Sequence, residues 1–245
     1  MISVCMATFN GERFIKQQLD SILSQLSPED EVIISDDGST DNTLEIIKAY
    51  NDSRIKILIH QKTNFFENVK EGRNFYFVTS NFENALKQAS GDIIILSDQD
   101  DIWMPDKVEK TLELHKSHDL VVHNYQVIDE NNNVIKEKMF SENPIHKLWI
   151  MNIMDSHFRG CCMSFKASYL KQILPIPQNI IGHDYWIGGI IFKLGNVFYN
   201  EKPYVQYRSY STSVSAKKKN SISYKINYRY NLYKELKKRL REIKE

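Results

Sequence analysis

The chain has 245 residues, 42% of them apolar and 26% charged, enough for one large domain with a buried core and far from the composition of a disordered or fibrous chain. No apolar run approaches the roughly 20 residues that span a bilayer, and the opening "MISVCMATFN" has the character of a first strand, not of a charged-then-apolar leader. The net charge of +1 conceals a division: residues 1–216 carry −7 and residues 217–245 carry +8.

Taken in chain order, "ISVCMAT" (2–8) is a β-rich apolar run stopped by Asn10-Gly11. Phe14, Ile15, Leu19, Ile22 and Leu23 fall at helical spacing within 12–25, and Pro28 ends the pattern. "EVIISDD" (31–37) is a second strand running into a "GSTDNT" turn, where Ser39, Thr40 and Asp41 are candidate N-caps for a helix reaching Tyr50. A third strand covers 54–60. The stretch 61–76 lacks a period and contains Gly72, which predicts a loop. A helix over 78–89 and a fourth strand over 91–97 follow.

Strands alternating with helices predict a parallel sheet covered on both faces. Ligands of such sheets bind at the carboxyl ends of strands, near a topological switch point. Two acidic clusters fall at such ends: Asp36-Asp37, and the trio Asp98, Asp100 and Asp101 in "SDQDD". Like charges so crowded repel unless a cation or ligand donors compensate. Magnesium and manganese take oxygen ligands, usually one or two carboxylates plus substrate phosphates. Capping of the next helix is the bland use for such acids, and Asp101 suits it. A receiver domain or a haloacid-dehalogenase phosphatase would place its acids on the first strand, which here ends in "ATFN".

The second half is less regular. It predicts a helix over 107–118, two strands joined by an Asn-rich turn in "DLVVHNYQVIDENNNVIKEK", and short helices over 145–153 and 167–173. "NIIGHDYWIGGIIFKLG" sets a polar pair before an apolar helix, and "NVFYNEKPYVQYR" is strand-like. Apolar residues at 222, 226, 230, 233, 236, 240 and 243 define an amphipathic terminal helix, with "KKKN" (217–220) as the joint before it. No internal repeat is visible. Cys5, Cys161 and Cys162 have no metal-ligand spacing and read as buried thiols of a reducing cytoplasm.

In order along the chain, "SVCMATFNGERFI", "VIISDDGSTDNT", "NFENALKQASGDIIILSDQDDIWMPDK" and "GHDYWIG" resemble glycosyltransferase family 2, the inverting family with the glycosyltransferase-A fold. The likeness is close over about 1–110 and looser to about 215, and the third piece is similar to bacterial rhamnosyltransferases and other surface-polysaccharide transferases. The resemblance implies an α/β fold: a Rossmann-like nucleotide-binding sheet (1–110), an acceptor-binding half (111–216) and a basic helical tail (217–245).

Position by position, the resemblance implies that Ala7, Thr8 and Phe9 line the nucleotide, with Phe9 against the base and Glu12 in the same donor site. Asp37 would bind a uracil or thymine edge, Asp98 the ribose or sugar, and Asp100 an Mn²⁺ or Mg²⁺ ion. Asp184 matches the catalytic base; without the resemblance it reads as an N-cap. The implied partners are a UDP- or dTDP-sugar, with dTDP-rhamnose one candidate, and a cell-surface glycan or lipid-linked acceptor. The implied reaction is a single inverting displacement. The competing reading is a catalytically silent nucleotide-sugar or glycan-binding module. It is motivated by a departure from the family pattern Tyr-Arg-x-His-x-x-Asn: here Tyr210 stands for the His and Ser213 for the Asn.

His157, Arg159 and Gly160 match a loop that approaches acceptor or donor sugar, with Arg159 suited to phosphate or to a surface ion pair. His183 reads as an ordinary exposed histidine. Trp103 and Trp186 read as core, and Trp149 is a candidate sugar platform. The basic terminal helix suits an anionic membrane surface or packing on the domain, which places the protein in the cytoplasm, peripherally at the inner face of the membrane. The acidic body argues against nucleic acid.

Overall fold

A computed structural model describes residues 1–61, 71–211 and 221–244. The first part alternates as the sequence predicts: β1 (Ile2–Thr8), α1 (Ile15–Leu23), β2 (Glu31–Asp36), α2 (Thr43–Ala49), β3 (Ile55–Ile59), α3 (Arg73–Leu86) and β4 (Ile93–Ser97). The short strand β5 (Ile102–Trp103) and α4 (Lys107–His115) follow. Then come β6 (Leu120–Ile128), β7 (Val134–Lys136), α5 (Trp149–Met154), β8 (Met163–Lys166), α6 (Leu170–Ile173), α7 (His183–Leu194), β9 (Val197–Arg208) and α8 (Ile222–Glu242).

The sheet runs β3-β2-β1-β4-β8-β6-β9-β5, with β7 on the edge of β6. β3, β2, β1 and β4 are parallel, and β1, β2 and β4 are buried almost throughout, as near-continuous apolar runs require when helices cover both faces. One face packs α1 and α2 through Ile15, Leu19, Ile22 and Ile47; the other packs α3 and α7 through Phe82, Ala85, Trp186 and Ile190. The chain leaves β1 in one direction to β2 and β3 and then crosses back to β4. β1 and β4 therefore flank the switch point, and register brings Thr8 beside Asp36 and Met6 beside Ser97. Asp37 and Asp98 begin the loops that leave this rim.

The sheet is mixed, not purely parallel. β8 pairs antiparallel with both β4 and β6, and β5 antiparallel with β9. β5 has two residues and β8 four, too few to show a period in sequence. The helix expected over 78–89 starts earlier, at Arg73, replacing the last part of the expected loop. Gly72 precedes it at φ +70°, and a Cβ there would run into the Tyr224 hydroxyl of α8. Residues 62–70 of that expected loop, the 217–220 joint and Ser213 lie outside the described residues.

The terminal helix forms, but its expected apolar stripe splits. Leu232 and Leu236 are buried, Leu236 against the bare backbone of Gly189 in α7, while Ile222, Ile226 and Tyr230 stand exposed. Arg239 fixes the inner side by donating to the carbonyls of Gln172, Leu174 and Pro175 at 2.7–3.2 Å. Trp103 and Trp186 are core residues. Trp149 joins α5 to α7 by donating from Nε1 to Gly189 O at 2.8 Å.

Candidate active site

The rim is built from loops tied together by their own side chains. The Thr8 hydroxyl donates to Asp36 Oδ2 at 2.9 Å, and the Thr8 carbonyl accepts from Asp37 N at 2.9 Å and Asn81 Nδ2 at 3.3 Å. Asp36 accepts from Gly38 N and Ser39 N and so shapes the turn after β2. Glu12 Oε2 accepts from the backbone and side-chain amides of Asn42 at 2.9 and 2.8 Å. Thr8 and Glu12 thus hold loop to loop.

Ala7 is half-buried against the core beneath them. Phe9 is 47% exposed, and its backbone N–H and carbonyl both bond the Gln99 amide, at 2.9 and 3.1 Å. That pairing links the β1 loop to the acidic loop after β4. Asp37 is buried, with Oδ1 2.8 Å from His60 Nδ1, a partner the sequence did not announce.

Gln18 of α1 positions the acidic loop by donating to Ser97 Oγ at 2.7 Å and to Asp98 O at 2.9 Å. Asp98 and Asp100 are half-buried and Asp101 fully buried. Burial raises all three carboxyls above the usual range; Asp100 pushes Asp98 and Asp101 up further, and Tyr210 and Arg208 hold Asp100 back. Asp101 does not cap the next helix. Its Oδ1 accepts from Arg208 N at 3.0 Å, and its buried Oδ2 has no hydrogen-bond partner.

Arg208 lies over the Phe14 ring and donates to Asp100 O, Gln17 Oε1 and Asn132 Oδ1, pinning the end of β9 beneath the acids. Tyr210 follows, and its hydroxyl donates to Asp100 Oδ2 at 2.6 Å. Burial, then Asp100, raises the Tyr210 phenol, so it remains a donor. Behind the acids sits Lys107, which sequence reasoning passed over. It is wholly buried, with Nζ 2.9 Å from Cys161 O and 3.1 Å from His123 Nε2, and burial lowers it to about 8.

Do these residues fit a divalent cation? Ligand atoms of Asp98, Asp101 and Cys161 lie within 4.8 Å of one another, and Asp101 carries a buried oxygen, Oδ2, without a hydrogen-bond partner. The carboxylates suit Mg²⁺ or Mn²⁺; the thiol is the soft member. Asp100, the ligand expected from sequence, stands outside that trio and is engaged by Tyr210. The acidic set fits a hard cation.

Asp184 arrives from the other half. Gly182, at φ +86°, turns the chain into α7, and its N–H is held by Thr79 Oγ1 of α3 at 2.9 Å. Asp184 lies in the first turn of α7, and its Oδ1 accepts from Tyr185 N at 2.9 Å. Burial pushes its carboxyl up to about 6, against the pull of the Tyr185 N–H and the Arg159 charge. The Asp184 charge disfavours ionising Asp98, and Arg159 lowers both carboxyls.

Among the described residues Arg159 makes no surface ion pair. Its guanidinium lies over the rings of Tyr125 and Tyr207 at 5.0 and 4.6 Å. His183 is buried, not exposed. It stacks on Phe82 at 3.8 Å, neither ring nitrogen has a hydrogen-bond partner, and burial lowers it to about 3. It stays neutral because the apolar helix pulls its first turn inward. His157 pairs instead with Asp155 at 3.2 Å.

A family model for glycosyl transferase family 2 matches residues 3–174. The chain belongs to this family. This family 2 glycosyltransferase is 27% identical, over 89% of its length and 81% of the relative's, to the Escherichia coli UDP-Glc:alpha-D-GlcNAc-diphosphoundecaprenol beta-1,3-glucosyltransferase WfgD. It is 29% identical over 91% of its length and 77% of the relative's to the Shigella flexneri dTDP-rhamnosyl transferase RfbG.

Among solved structures, S. aureus TarS 1–349 in complex with UDP-GlcNAc superposes with a TM-score of 0.68 at 18% identity, covering 97% of this chain and 66% of that one. The Pyrobaculum calidifontis mannosyltransferase PcManGT in complex with GDP-Man and Mn²⁺ gives 0.58 at 17% identity, covering 88% of this chain and 58% of that one. The likeness shows the glycosyltransferase-A fold with an added C-terminal helix. The family 2 glycosyltransferase described here spans about two thirds or less of those solved chains.

Proposed function

We propose that this glycosyltransferase moves a sugar from a UDP- or dTDP-donor, with dTDP-rhamnose one candidate, to a hydroxyl of a surface polysaccharide or lipid-linked precursor, with inversion, on the cytoplasmic side of the membrane. Residues 1–216 would form the catalytic domain, with its donor half over 1–110, and 217–245 the tail. The names of WfgD and RfbG support the two donor nucleotides, and that of WfgD a lipid-linked acceptor. The observation that carries the mechanism is the convergence of Asp98 and Asp184, 86 positions apart in sequence, on the charge of Arg159. The first marks the donor rim and the second a basic group facing it.

In this reading Ala7, Thr8, Phe9, Glu12 and Asp37 form the nucleotide side. Asp98 faces the ribose or sugar. Asp100, with Asp98 and Asp101 behind it, would hold Mg²⁺ or Mn²⁺, which would supply positive charge to stabilise the departing diphosphate. Asp184 takes the proton of the acceptor hydroxyl as that oxygen bonds to the anomeric carbon. The bond from that carbon to the diphosphate oxygen breaks, and its electron pair leaves with the nucleoside diphosphate. His183 cannot share this role, because both its nitrogens are buried and burial makes its ring a poor proton acceptor. Arg159 keeps Asp184 from drifting too far up.

The second reading, a silent nucleotide-sugar-binding module, draws on Tyr210 occupying Asp100. Release of UDP or dTDP from a panel of nucleotide sugars with Mn²⁺ separates the two. Slow donor hydrolysis that disappears in Asp184→Asn supports transfer; saturable donor binding with no release over hours overturns it.

A further inference from the structure

Helix α8 has two working sides. The inner one buries Leu232 and Leu236 and anchors Arg239. The outer one presents Ile222, Ile226 and Tyr230, spaced by one turn and 77, 62 and 62% exposed. Seven residues after Ile226 the same helical line reaches Tyr233, and there it is covered, its ring 6.0 Å from that of Trp149 in α5. α5 therefore overlies the later part of the line and leaves the earlier part open.

α5 carries apolar surface of its own. Leu148 at its N-cap is 65% exposed, and Met151 and Met154 along it are 42 and 50% exposed. α5 packs against α8, so the exposed apolar residues of α5 and of the first half of α8 lie on two neighbouring elements. Scattered exposed apolar residues are ordinary, but a contiguous patch rimmed by polar groups marks an interaction site.

The rim is cationic. Lys147 precedes Leu148, and Lys225, Lys234, Lys237 and Arg241 stand exposed around the outer line of α8. The body over residues 1–216 carries −7 and the last 29 residues +8, so positive charge is concentrated on the segment that bears the exposed line of α8. Apolar side chains a few ångströms deep within a cationic border match the interface of an anionic bilayer: acyl chains beneath, phosphate headgroups above. Among the described residues no helix is long and apolar enough to cross a membrane. An acidic protein partner would match the cations alone and would leave the methionines and Leu148 unexplained.

We propose that α5 and the first half of α8 form one two-part surface that docks the enzyme on an anionic lipid bilayer. The proposal deepens the reading that the acceptor is lipid-linked. α7, which carries Asp184 in its first turn, packs against both α5 and α8, so the docking surface and the proposed base share one support.

The test is sedimentation of the full chain with vesicles of phosphatidylcholine alone and of phosphatidylcholine with phosphatidylglycerol, beside donor hydrolysis and sedimentation velocity in solution. Binding is expected only to the anionic vesicles. Lys225→Gln and Lys237→Gln should each weaken it about fivefold, the effect of one surface cation. Leu148→Ser with Met151→Ser on α5 should weaken it as Ile226→Ser on α8 does. All of these sites are exposed, so the fold and donor hydrolysis should be unchanged. Equal binding to neutral vesicles, no binding at all, or insensitivity to the α5 pair overturns the proposal. So does a dimer in solution that the same substitutions dissociate, since the surface would then be covered by a second copy. Vesicle binding without donor turnover leaves the surface standing and removes the transfer reading; turnover without vesicle binding does the reverse.

Discussion

Tyr210 donates its hydroxyl to Asp100 Oδ2 across 2.6 Å, so the carboxylate proposed to hold the cation is shared with a phenol from the end of β9. Phenol and cation compete for the same oxygen. Tyr210→Phe should therefore tighten Mn²⁺-supported UDP binding by about tenfold or more, the value of one hydrogen bond to a charged group. Asp100→Ala should abolish the manganese dependence of that binding. A calorimetric Mn²⁺ titration of both variants checks the pair; an unchanged midpoint in Asp100→Ala removes the residue from the metal assignment.

Asp184→Asn keeps the size of the side chain and one acceptor in the first turn of α7 but removes the base. Transfer should fall by about 10²–10⁴-fold with the nucleotide Kd unchanged. Lost nucleotide affinity would instead place Asp184 on the donor side. Burial raises this carboxyl to about 6, so the protonated form dominates below that pH and the competent carboxylate above it. The rate should rise through about pH 6 and then level, with no other limb between 6 and 8 arising from His183, which burial keeps neutral.

Arg159 lowers both Asp98 and Asp184 while stacked between Tyr125 and Tyr207. Arg159→Met retains much of the packing and removes the charge. Both carboxyls should then titrate higher, and the acidic limb of the pH–rate profile should move to higher pH. A uniform loss of rate with the limb in place would mean that Arg159 touches substrate and does not act through the acids.

Leu236 fills the space over Gly189 and joins α8 to α7. Leu236→Ala should cost about 2–5 kcal/mol of stability by urea denaturation. Ile226→Ala, on the exposed line of the same helix, should cost less than about 0.5 kcal/mol. Equal losses would mean that both sides of α8 are buried.

The strand and helix order of the first 110 residues was legible because β1, β2 and β4 are long apolar runs that helices bury on both faces, each ending in acids or turn residues. The family resemblance offered expectations further along, for Asp100 and Asp184, because ordered motifs keep their spacing where periodicity fades. The helix start at Arg73 was hidden by an aromatic run without a period, and β5 and β8 were too short to show one.

By itself, the sequence determined the parallel first half, the acids at its rim and the separation of a basic tail from an acidic body, since these depend on local pattern and on charge. Only the tertiary structure decided that His183 is buried against Phe82, that Arg159 lies between two tyrosines near Asp98 and Asp184, and that Tyr210 engages Asp100. It also decided which half of the α8 stripe is covered. Those outcomes are set by contacts between residues tens to a hundred positions apart. Burial and charge act through space, and no local spacing encodes which distant element arrives to cover a side chain.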